Sequence, residues 1–268
     1  MALKLIDTHS HIHFSDYPLD ADEVWADARE SGVEKMLVVG CDVKSSKLAV
    51  EFARQHKNVF AVVGVHPHLA TKFLDSPNSE SELEKLLDEA LDNKIVAVGE
   101  FGLDYYYDNS PREDQIKAAK YQLGLAQKYD LPLCLHIRDA FEDFWPIFDE
   151  FNAHKALKGV VHSFTAADKE LTETLDRGLL VALNGIITFT KDEKQLETAK
   201  KIPIHKLLLE TDAPFLTPKP FRGKVCKPEH VVHTAEFLAE LRGEAVLVLS
   251  DATTKNATEL FKLIEVKK

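Results

Sequence analysis

Six residues whose chemistry suits a divalent cation, His9, His11, Glu100, His136, His162 and Asp212, are scattered along the chain, yet each stands at the C-terminal end of a short apolar run. The runs cover residues 3–6, 95–98, 131–135, 159–161 and 207–209. In His9-Ser10-His11 the two-residue alternation of an extended strand turns both imidazoles to one face. Glu100 lies between Gly99 and Gly102, where the backbone turns freely and a carboxylate reaches a site rather than solvent. Its two oxygens can bridge two cations. His136 and His162 each need a partner if buried, because an unsatisfied ring nitrogen costs roughly 1–3 kcal/mol. A metal satisfies that need, and so does a backbone carbonyl. Asp212 emerges where the last run stops, with Glu210 deeper on the same face; an N-cap for the first and an internal salt bridge for the second are the structural alternatives. A metal held by such ligands lowers the pKa of bound water from about 15.7 toward 7, which removes the need for a Ser, Cys or Lys nucleophile.

Eight apolar runs are expected as the strands that carry these ligands, at residues 4–9, 35–39, 59–65, 95–99, 132–137, 159–163, 179–184 and 206–210. Between and after them, helical spacing of apolar residues marks 22–30, 44–55, 81–91, 112–128, 140–151, 168–177, 193–200 and 227–241. Strand then helix, eight times over, predicts an α/β protein, a (β/α)8 TIM barrel. In that fold all strand C-termini meet on one face, where catalytic residues collect. One more helix, 252–264, with Ser250 or Asp251 as N-cap, is expected as a C-terminal addition. The rival is an open doubly wound sheet, which usually places a Gly-rich loop after its first strand. Here that position reads Asp7-Thr8-His9-Ser10-His11.

The whole length, 1–268, is read as a single barrel, and 45% hydrophobic residues suffice for a sizeable core. A net charge of −11 without a long Lys/Arg run argues against wholesale attraction to nucleic acid or membrane, so an anionic substrate needs a local source of positive charge. Bound cations are one source. The loop 219–227, with Lys219, Arg222, Lys224 and Lys227 and no acid, is another, and Arg222 is the candidate to clasp a phosphate. Cys41, Cys134 and Cys226 are odd in number and lack C-x-x-C spacing, so they read as reduced thiols of a cytoplasmic protein. No signal-like leader or run of 18 apolar residues appears, and no membrane or obligatory protein partner is expected. Tyr105 to Tyr107 are candidates either to cover the barrel mouth or to stack on a substrate ring.

Taken in order, D-T-H-S-H at 7–11, G-V-H-P-H at 64–68, G-E-F-G-L-D at 99–104, L-H-I-R-D-A at 135–140, H-S-F-T at 162–165 and E-T-D-A-P-F-L at 210–216 resemble the TatD family of metal-dependent deoxyribonucleases, within the amidohydrolase-like barrels. The resemblance runs from Asp7 to about Leu263. It implies two divalent metal ions per chain (Zn, Mn, Co, Ni or Mg), one held by His9, His11, Glu100 and Asp212 and the other by Glu100, His136 and His162, with Glu100 bridging. It further implies that Asp212 and Glu100 serve catalysis, that His66 stands beside the substrate phosphate, and that DNA is the substrate, cleaved at its phosphodiester bonds by an exonuclease or other deoxyribonuclease. Ala166 replaces a glycine frequent in the family, and Val225-Cys226-Lys227 departs from its usual late-loop pattern, which bears on substrate choice. The alternatives are a hydrolase of small amides, lactones or esters on the same dinuclear centre, and a binding protein with structural metals. Structural zinc is normally closed by four protein ligands, which disfavours the last.

Overall fold

The computed structural model describes residues 3–107 and 109–263. Its strands are β1 (Leu5–Ser10), β2 (Val33–Val39), β3 (Val59–Val63), β4 (Ile95–Asp104), β5 (Leu133–Arg138), β6 (Gly159–Val161), β7 (Leu180–Leu183) and β8 (Leu207–Leu209), joined in chain order as one eight-stranded sheet. The helices are α1 (Ala21–Glu30), α2 (Val43–Gln55), α3 (Ala70–Asp75), α4 (Ser79–Asp88), α5 (Arg112–Tyr129), α6 (Phe141–His154), α7 (Asp168–Asp176), α8 (Glu193–Lys201), α9 (Val231–Arg242) and α10 (Val246–Leu260). The protein is thus the expected (β/α)8 TIM barrel with an added C-terminal helix, α10. No described helix is long and apolar enough to cross a membrane.

The chain packs as two compact units, one formed by residues up to Val38 and from Ser163 onward, the other by Val39–His162. In the first, β1 pairs in parallel with β2 and β7 with β8, and a parallel bridge joins Ser10 to Ala213 just past β8. β8 is Leu-Leu-Leu, buried on both faces as parallel strands usually are. β1 is equally buried but ends in polar residues, and these are paired: Thr8 Oγ1 donates to the Leu209 carbonyl, and Asp7 accepts from Thr211 N at 2.9 Å and Thr211 Oγ1 at 2.6 Å. In the second unit β3 to β6 pair in parallel, register following register. Its first helix, α2, starts where Asp42 accepts from Ser45 N and Ser45 Oγ returns a bond to Asp42 N.

Two expectations need correction. β4 does not stop at Gly99 but runs on to Asp104, so Glu100 sits inside a strand rather than in the loop after it. Gly99 faces Cys134 and Phe101 faces Leu135, which leaves Glu100 as an extra residue in β4, a bulge around which Phe101 and Leu103 continue the buried pattern. The C-terminal helix begins at Val246 after Ala245, so neither Ser250 nor Asp251 is its N-cap. The Ser250 hydroxyl instead donates to the Lys4 carbonyl at 2.7 Å, a tertiary contact that local sequence does not announce. The expected end of that helix, Ile264, lies outside the described residues. α3, between β3 and α4, is a helix that apolar spacing did not single out.

Candidate metal centre

In the first unit β1 supplies His9 and, just past its end, His11, while Asp212 follows β8. Backbone bonds fix their relative placement: Asp212 N donates to the His9 carbonyl at 2.8 Å and His11 N to the Ala213 carbonyl at 2.6 Å. His9 Nε2 and His11 Nε2 are 3.2 Å apart, and Asp212 Oδ1 is 3.3 Å from the second and 3.8 Å from the first. The 3.2 and 3.3 Å separations suit neighbours on one cation, because bonds of about 2.0–2.1 Å in octahedral or tetrahedral geometry place neighbouring ligands about 2.9–3.4 Å apart, while the 3.8 Å pair is wider than that. Phe14 stacks on the His11 ring at 4.7 Å, and half-exposed Phe215 stands edge-on to it. Below them Asp7 is fully buried; burial pushes its carboxyl up to about 8, against the lowering effect of the bonds from Thr211 and His9 N. Glu210 is also buried and accepts from Ser163 N at 2.7 Å and Asn184 Nδ2 at 3.3 Å.

In the second unit Glu100 Oε1 is the focus, 2.7 Å from His162 Nε2, 2.9 Å from His136 Nδ1 and 3.6 Å from His66 Nε2. His136 Nδ1 and His162 Nε2 are 3.2 Å apart. Ligand atoms of His66, Glu100 and His136 all lie within 4.8 Å of one another. The bulge aims Glu100 here, and Gly99 and Gly102 permit it: their φ values are 153° and 149°, and a Cβ on Gly102 would lie 2.0 Å from the His136 carbonyl oxygen.

The second unit also holds a carboxylate, Asp104, to which the sequence assigns no role of its own. Asp104 Oδ2 accepts from His136 Nε2 and His68 Nε2, both at 3.0 Å, while Oδ1 accepts from the backbone of Tyr106 and Tyr107. Burial alone would raise its carboxyl, but the bonds from His136, His68 and Tyr107 outweigh this and hold it well below the usual carboxylate range. With its Nε2 proton given to Asp104, His136 would give up any proton on Nδ1 to present that nitrogen to a cation, as a metal-binding histidine backed by a carboxylate does. Burial depresses His136 basicity, and the bonds to Asp104 and Glu100 reverse that and raise it. His66 is pushed well below the ordinary imidazole value by burial and by His136, with Glu100 opposing. Its Nδ1 accepts from His68 N at 3.1 Å, so the neutral ring carries its proton on Nε2. Cys41 donates its thiol to Glu100 Oε2 at 3.8 Å, a neighbour that nothing in its sequence context signalled.

Of the other expected residues, Arg222 lies with its guanidinium 3.7 Å over the Phe189 ring and donates Nη1 to the Thr217 carbonyl. Tyr105 donates to Asp143 and lies under Arg112, whereas Tyr106 and Tyr107 are exposed. All three cysteines are free thiols.

The family described as TatD related DNase matches residues 6–262. An uncharacterised metal-dependent hydrolase of Bacillus subtilis, YabD, is 36% identical over 97% of this chain and 99% of its own. The protein of Erwinia amylovora called 3'-5' ssDNA/RNA exonuclease TatD is 36% identical over 97% and 100%. Among solved structures, the TatD homologue YjjV of Escherichia coli K12 superposes with a TM-score of 0.90 at 30% identity, covering 98% of this chain and 99% of that one. With its barrel, its ordered motifs and its clustered imidazoles and carboxylates, the chain belongs to the TatD family of metal-dependent hydrolases.

Proposed function

We propose that this protein is a phosphodiesterase of DNA, an exonuclease of the cytoplasm acting as one barrel over 1–268, with His9, His11, Glu100 and Asp212 holding one divalent ion and Glu100, His136 and His162 a second. The carrying observation is the convergence of His136 Nδ1 and His162 Nε2 on Glu100 Oε1 at 2.9 and 2.7 Å, a donor set of imidazole and carboxylate that suits Zn, Mn, Co or Ni and also admits Mg in a bridged pair. The name carried by the Erwinia relative supports a nucleic-acid substrate. When bound, such ions acidify water and polarise a phosphoryl oxygen.

The chain's own residues do the rest. Asp212, at the mouth of its strand, accepts the proton of the attacking water. Asp104 keeps His136 in the tautomer whose Nδ1 is free of hydrogen. His66, neutral and protonated on Nε2, offers a hydrogen bond to a phosphate oxygen without adding a charge that would hold the product back. Arg222 reaches phosphate only by leaving the Phe189 face, so it is assigned to the strand beyond the scissile bond.

The test is to purify the protein without chelator, measure metal per chain, and incubate it with single-stranded DNA, duplex DNA, RNA and a panel of small esters and amides. Up to two transition-metal ions and chelator-sensitive release of nucleotides are expected. Turnover confined to the esters or amides would overturn the nuclease reading.

A further inference from the structure

Beside the Glu100 cluster a groove of about 480 Å³ opens, with His68, Lys72, Ser76, Asn109 and Ser110 among its lining residues. Its volume falls within the roughly 300–1,000 Å³ of small-ligand pockets. It is joined to the centre through one carboxylate, since His68 Nε2 and His136 Nε2 share Asp104 Oδ2. Its walls are fixed before any ligand arrives. Ser110 Oγ donates to the His68 carbonyl at 2.9 Å, and buried Gln115 donates through Nε2 to the carbonyls of Ser110 and Asp104 at 2.8 and 3.1 Å. Tyr107 packs edge-on to His68, one of the lining residues, with centroids 5.4 Å apart, and is 55% exposed. Tyr106, 58% exposed, lies under the Arg138 guanidinium at 3.9 Å, and Arg138 is 4.9 Å from the Tyr107 ring. Large aromatic rings left in water beside a guanidinium, an ammonium and a row of hydroxyl and amide groups match the three parts of a nucleotide: base, phosphate and sugar.

We infer that this groove is a subsite for a second nucleotide of a single-stranded nucleic acid, with its base stacked on Tyr107 and its phosphate drawn to Lys72 and Arg138. The inference rests on the phosphodiesterase reading above and adds where the strand next to the scissile bond lies. A single strand is required because only an unpaired base can lay its face on the ring. Asp75 lies on the same wall and shortens the cationic stretch, so stacking contributes more to recognition than charge does.

The experiment compares Tyr107→Ala, Tyr107→Phe and Lys72→Ala with Lys85→Ala, which removes an equal charge from the exposed side of α4. The metal-loaded proteins are assayed on octathymidylate and on bis(p-nitrophenyl) phosphate, which carries no base. Tyr107→Ala should raise KM for the octamer about tenfold relative to the small diester, a ratio equivalent to about 1.4 kcal/mol and within the range of one stacked base. Tyr107→Phe should restore the ratio, Lys72→Ala should shift it less, and Lys85→Ala should leave it alone. An unchanged ratio, or an equal loss on both substrates, would overturn the subsite. If the wild type hydrolyses neither diester, the phosphodiesterase reading fails by itself, and fluorescence anisotropy with labelled octathymidylate decides the groove. Binding weakened about tenfold by Tyr107→Ala supports it; unaltered or absent binding overturns it.

Discussion

The two ligand clusters are held by different means. In the first unit His9, His11 and Asp212 owe their placement to the backbone: strand ends are cross-bonded, and the buried Asp7–Thr211 pair ties β1 to the segment after β8. In the second, one side chain orients another, as Asp104 fixes both His136 and His68, and a bulge presents Glu100. Damage to the first kind of support should therefore appear in folding, and damage to the second in metal affinity.

The largest effect is expected where the second arrangement converges. Glu100→Ala should lower turnover by more than about a thousandfold, some 4 kcal/mol at the transition state, while the thermal unfolding transition persists. Turnover retained in this variant would remove the bulged carboxylate from the chemistry. Next, Asp104→Asn should weaken metal binding or activity about 10–100-fold with little change in unfolding, as expected for a group behind a ligand. Thr211→Val should do the reverse, destabilising by about 1–3 kcal/mol through the acceptor it strands on Asp7, with metal titration close to that of the wild type. If the two variants gave the same signature, the contrast between the clusters would collapse.

The smallest effect serves as a control outside both clusters. Burial, reinforced by His233, Lys227 and Lys224, lowers His230 to about 4, and its Nδ1 accepts from Lys227 N. The unfolded chain takes up this proton first as pH falls, so the ring's contribution is complete above about 6.5 and is lost on descending through about 4. His230→Gln should flatten the pH dependence of unfolding across that window by an amount on the order of 1 kcal/mol, whatever the metal content. An identical profile in wild type and variant would dismiss the buried neutral imidazole.

Much of this was legible in the residues because the physics behind it is local. Runs such as Leu207–Leu209 are buried on both faces and alternate with helices, a pattern an open doubly wound sheet shares, and the ligand-rich segment 7–11 in place of a Gly-rich loop separates the two. His9 and His11 converge because the strand repeat is two. The bulge at Glu100 is different: whether β4 ends at Gly99 or absorbs an extra residue depends on Leu135 and His136 across the sheet, which its own sequence does not contain. Asp104 escaped for the same reason, since its partners lie 36 and 32 positions away. Ser250 was misassigned because a serine before a helical run is an ordinary cap unless a distant carbonyl, here that of Lys4, claims its hydroxyl.

The extra residue in β4 also sets what can be altered there without loss. Phe101 to Asp104 face Leu135 to Arg138 one for one, so beyond the bulge each side chain takes the direction its partner in β5 dictates, and Glu100 alone stands outside that pairing. Excising Glu100 would close the bulge and keep those pairings, so the sheet could survive the loss of a residue that the metal chemistry could not. Chain length at this one position is therefore set by the carboxylate and not by the sheet, and a redesign that abandons the metal could dispense with the residue altogether.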